Sequence, residues 1–170
     1  MSTAAESLRE WHEFFVYAGT IAGTLVGAMF VVVSIGVGFL TRERAGEIRE
    51  FVTPTVIHLA TVILISALPL APALEGRERA VVLAVAGVFG LAYSASVGLR
   101  VRRRGVGVAD LLWYGVLPVL GYTALWAAAV LTAADAEAGP KVLALAVAIL
   151  LVAGLRNAWD LVLFIVTRPR

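Results

Sequence analysis

Four long stretches without a single charged residue, and a fifth broken only near its end, constrain this chain more than anything else in it. A helix needs about 18–20 predominantly apolar residues to cross the hydrocarbon core of a bilayer. Residues 14–40 supply 27 with no charge. Residues 51–74, 80–99 and 111–134 supply three more such runs, the first with His58 seven residues in. Residues 142–155 add only 14 before Arg156, Asn157 and Asp160 intervene and the apolar run resumes at Leu161. Gly139-Pro140 separates this last segment from the fourth, so it gains no length from there. The pattern predicts an all-α, polytopic transmembrane helix bundle of five spans, at about 14–40, 51–74, 80–99, 111–134 and 141–167. The whole chain, 1–170, reads as a single integral membrane domain. Its 61% hydrophobic and 15% charged residues lie far from the composition of water-soluble domains, at about 45–50% and 25%.

The first span reads as a retained helix and not as a cleaved leader, because it is too long and no basic segment precedes it. Orientation follows from the connecting segments. The N-terminus and the 75–79 and 135–141 turns carry four basic residues, Arg9, Arg77, Arg79 and Lys141. The 41–50 and 100–110 loops and the C-terminus carry nine, including Arg102, Arg103 and Arg104. That asymmetry predicts the N-terminus outside and the C-terminus in the cytoplasm. The net charge of +2 thus conceals two faces, −3 outside and +5 inside, with Arg156 and Asp160 cancelling between them. The arginine run reads first as a topology determinant, with membrane lipid as its neighbour. Nucleic acid is not expected as a partner, since nothing here presents a basic surface to it.

Small residues mark where helices approach one another. Gly19, Gly23 and Gly27 recur at intervals of four and share one ridge of the first helix, as close packing between transmembrane helices favours. Ala86, Gly90, Ser94 and Gly98 repeat the pattern in the third. The sequence suggests that the first and third helices pair within the monomer, the alternative being that either ridge meets a second copy or another membrane protein. In the fourth helix Tyr114, Pro118, Tyr122 and Trp126 form a stripe that reads as packing and interfacial anchoring, with a kink at Pro118.

Arg156, Asn157 and Asp160 share one helical face, and charges inside a bilayer are expected to pair and face inward. Counted from the span ends, His58 and Asp160 fall at similar depth, with Ser34, Tyr93, Ser94 and Tyr114 in the same half. An intramembrane polar cluster of His58, Tyr114, Arg156, Asn157 and Asp160 is therefore expected, opposite an apolar outer half. Two readings stand: a proton or ion site, or a self-neutralising Arg–Asp pair with His58 and Tyr114 tying helices together. A third placement ends helix five at Asp160 and lays 161–166 along the surface.

No catalytic residues and no metal or cofactor site are expected. With no Cys, thiolate chemistry is excluded. His12 and His58 belong to opposite halves of the membrane and cannot clamp one haem. No HExxH, GxSxG or P-loop pattern occurs.

Trp11-His12-Glu13-Phe14-Phe15, followed by Gly19, Gly27, Phe30-Val31 and Ser34, resembles the opening of a group of small uncharacterised bacterial inner-membrane proteins. Those begin with a Trp-x-x-Phe-Phe entry and a glycine-rich first helix. Asn157-Ala158-Trp159 resembles their last helix. The resemblance implies a bacterial inner membrane and supplies no catalytic residues; some members carry labels as modulators of a membrane-bound protease. Taken together, the sequence predicts a non-enzymatic accessory or regulatory protein acting through helix–helix contacts with itself or another membrane protein. The alternative is a small ion channel or proton-coupled transporter built on the polar cluster.

Overall fold

The computed structural model describes residues 9–37, 42–71, 74–103 and 107–167, with side chains described over 9–35, 53–71, 74–103 and 107–163. The side chains of Arg42, Arg44 and Arg49, and all of Arg104, Arg168 and Arg170, lie outside that set. Among the described residues the regular structure is all helical. Its elements are α1 (His12–Val37), α2 (Arg42–Ala67), α3 (Gly76–Arg103), α4 (Val108–Leu111, Leu112–Val116 and Leu117–Ala133) and α5 (Ala138–Thr167). A short 3₁₀ turn, Leu68–Leu70, caps α2. All five helices contain segments long and apolar enough to cross a membrane, which fits a multi-pass membrane protein.

Two boundaries differ from the sequence expectation. Residues 42–50, read as a loop, form the first turns of α2, and α3 continues through Arg100 and Arg102 to Arg103. Charge density marks where a span meets water, but backbone hydrogen bonding carries a helix past that point. Nor does helix five stop at Asp160, since α5 runs unbroken to Thr167. The surface placement of 161–166 is therefore set aside.

The helices pack unequally. α3 lies against α4, α4 against α5, and α5 against α2, while α2 and α3 touch only sparsely. These four form a square, and α1 is attached outside it, on α2 and α5. Half of the most apolar stretch of α5 is buried, against 17% of that of α1. The predicted pairing of α1 with α3 is not what forms. Their ridges lie on different sides of the bundle, and α3 spends its small residues on α4.

That seam is built backbone against backbone. A Cβ on Gly98 would lie 3.2 Å from the Cα of Gly115, and one on Gly87 would lie 3.1–3.2 Å from Trp126. Between them, a Cβ on Gly90 would fall within the Tyr122 ring. On α4 the residues Leu112–Val116 make a π turn just before Pro118. Irregular turns of this kind often accompany a proline in a membrane helix, because the ring cannot donate to the preceding turn. Gly121 receives Leu150 of α5, and Gly154 of α5 receives Leu59 of α2, so these contacts fix an antiparallel register across the square.

α1 presents the opposite picture. Gly19 meets Ser66 of α2, where a Cβ would lie 3.3 Å from the serine Cβ, but around Gly23 and Gly27 nothing lies within 4 Å. The serine and threonine hydroxyls on this helix turn inward to its own backbone. Thr20 donates to Val16, Thr24 to Thr20 and Ser34 to Phe30, at 2.7–2.9 Å. Such bonds remove the polar cost of facing lipid.

Candidate functional site

The polar residues of the bundle fall into two groups along the inside of the square. Nearer the α5 C-terminus, Arg156 pairs with Asp160 one turn on, and the Tyr114 hydroxyl donates to the other carboxylate oxygen at 2.9 Å. Arg156 also lies over the Trp113 ring, 5.9 Å from its centre. The Arg156 and Asp160 side chains keep 37% and 21% of their surface exposed. A guanidinium shared between a carboxylate and an aromatic face is satisfied on both sides.

Deeper in the bundle, His58 is fully packed, and its Nδ1 hydrogen-bonds the Tyr122 hydroxyl at 3.0 Å. The same hydroxyl lies 3.2 Å from Thr61 Oγ1, which donates to the Ile57 carbonyl one turn back. Tyr122 reaches α2 across the centre of the square. It can do so because Gly90 leaves room for its ring and because helical side chains lean toward the N-terminus of their own helix. That tilt brings its hydroxyl about one turn below its Cα, level with Pro118.

His58 and Asp160 are thus not at one depth. The packing of Gly154 against Leu59 and His58 sets Asp160 six residues farther along α5, about 9 Å toward its end. The apolar run begins at residue 51, but α2 begins at Arg42, so His58 lies deeper along its helix than the run alone indicates. His58 and Tyr114 likewise take different partners. Ser34 stays outside the cluster, exposed and bonded to its own helix. Tyr93 is half-buried, and Ser94 is buried on α3 with its Oγ unpartnered.

Asn157 stands between the two groups. It is completely buried, and neither its Nδ2 nor its Oδ1 meets a hydrogen-bonding group of the protein. The residue that sequence reasoning did not place in the cluster is Tyr122, which was absorbed into a packing stripe. Its signal was available: it is the tyrosine farthest from either end of its span. His12 lies at the start of α1 and is exposed, away from His58. Among the described residues, no three of His, Asp and Glu come together in a way that could hold a metal ion.

Compared with known proteins, the chain matches no family model, no curated protein and no solved structure.

Proposed function

We propose that this chain is a non-enzymatic accessory or regulatory protein of a bacterial inner membrane, oriented N-terminus outside, that acts through helix–helix contacts. α1 is the contact helix. One observation carries the reading: Gly23 and Gly27 form an open ridge on the least buried helix of the bundle, with no atom within 4 Å of where their side chains would begin. In lipid there is no hydrophobic drive between helices, and close van der Waals approach along small residues is what favours association. A second copy of this chain and a different membrane protein would both fit such a ridge. The transporter alternative would need polar groups through the other half of the bundle, where Leu125, Ala128, Ala129, Leu143, Ala146 and Val147 are buried and the one buried polar side chain among the described residues, Ser66, faces Gly19 of α1.

The chain has no Cys, so a single introduced thiol reports one position. A cysteine-reactive benzophenone attached to Gly27→Cys and photolysed in native membranes is expected to capture a second polypeptide. The same probe on Val88→Cys, exposed on α3, is expected to capture little. Equal capture at both positions, or none at Gly27→Cys, overturns the reading.

A further inference from the structure

We propose that the interior around Asn157 is hydrated from the α5 C-terminal end. That water joins the two polar groups into a sided path, open at Asp160 and closed above Tyr122. A buried donor or acceptor left without a partner costs about 1–3 kcal/mol, and Asn157 has one of each. Buried polar groups that the protein does not satisfy are the usual seats of internal water, which needs two to four polar partners.

The register supplies those partners. Asn157 lies three residues beyond Gly154 and three before Asp160, about 4.5 Å of rise from each. From the packing of Gly154 on Leu59, Asn157 is level with the fully buried Thr55 and its neighbour Val56 on α2. From the packing of Gly121 on Leu150, it is level with Tyr114 on α4. Ser94, whose buried Oγ is also unpartnered, falls on α3 between the Gly90–Tyr122 and Gly98–Gly115 contacts, at the height of Thr61, one turn above His58. Polar groups from all four helices of the square therefore occupy consecutive turns. Two of them lack protein partners, and the partly exposed Arg156–Asp160 pair stands at the entrance.

Exchange at the closed end balances because it runs both ways along the same water: each hydrogen that reaches the His58–Tyr122 pair from solvent is matched by one that leaves it, and Asn157 holds the water in place without itself relaying a proton. The His58 ring hydrogen is thus replaced by one from solvent with no net charge moved. Above Tyr122, Leu125, Ala128 and Val147 fill the inside of the square, and the next buried polar side chain, Ser66, faces Gly19 of α1 outside it.

Asn157 is the only residue in the chain with a side-chain amide, since there is no second Asn and no Gln. Asparagine-labelled protein in liposomes therefore gives a single carboxamide NH₂ signal. In water-edited solid-state NMR, that signal and the His58 ring N–H are expected to receive magnetisation from water well before the backbone amides of Leu125 and Val147. Transfer to Asn157 no faster than to those two amides means a dry interior and overturns the proposal. Asn157→Leu removes both orphaned groups and is expected to slow exchange of the His58 ring hydrogen into D₂O about tenfold. Unchanged His58 exchange in that variant overturns the linking role of Asn157. Proteoliposomes carrying an internal pH dye are expected to leak protons no faster than empty vesicles, and steady flux overturns the closed end. The wild-type measurements decide the proposal even if the variant does not fold.

Discussion

α1 and α3 both carry small residues about one turn apart, yet the bundle closes over one ridge and leaves the other bare. On α3, Gly87, Gly90 and Gly98 meet the backbone of Trp126, the Tyr122 ring and the backbone of Gly115. On α1, only Gly19 has a neighbour. The difference lies in what stands opposite. α4 offers a large ring to fill the space over Gly90 and a second glycine to match Gly98, whereas α2 and α5 present their own side chains to one another. Spacing states which residues share a ridge; the facing helix decides whether that ridge is internal.

The sharpest way to break the comparison is to add one carbon to each ridge. Gly90→Ala places a Cβ where the Tyr122 ring lies, and that ring is held by His58 and Thr61 and cannot simply turn away. Overpacking of this kind costs about 1–3 kcal/mol, and a loss at the upper end of that range is expected, read by steric trapping or SDS unfolding in micelles. A Gly90→Ala protein as stable as wild type would mean that the α3–α4 seam is looser than described.

A smaller effect is expected at the hydroxyl that ties the diagonal of the square. Tyr122→Phe keeps the ring over Gly90 but leaves His58 Nδ1 without its partner, while Thr61 retains its bond to Ile57. Interhelical hydrogen bonds in membranes average about 0.6 kcal/mol. The buried imidazole nitrogen adds its own desolvation, so a loss of about 1 kcal/mol is expected in the same unfolding measurement. A loss as large as that of Gly90→Ala would shift the weight of the seam from shape to polarity.

Much of this is legible in the sequence. The five helices follow from the apolar runs, and the i, i+4 spacing places Arg156 and Asp160 together. Helix ends were less legible, because the first turns of α2 are written in charged residues that hydropathy reads as loop. The depth of His58 inherited that error. Helix pairing was not legible at all: the match between Gly98 and Gly115, or Gly90 and Tyr122, depends on two sequences meeting in register. Tyr122 went unrecognised for the same reason, since its partner is 64 residues away.

The least costly substitution discriminates most between the two ridges. Gly27→Leu on α1 meets open space, so the monomer's unfolding free energy is expected to stay within about 0.5 kcal/mol of wild type. Glycine to leucine also favours the helix itself. What the leucine removes is close approach from outside. With the photoreactive thiol moved one turn away to Gly23→Cys, capture of a neighbouring polypeptide is expected to fall several-fold when Gly27→Leu is added. A double variant that is as stable as the parent and still captures its neighbour in full would show that α1 meets nothing through this ridge. An unstable Gly27→Leu protein would show instead that the ridge is internal after all, and the contrast with α3 would disappear.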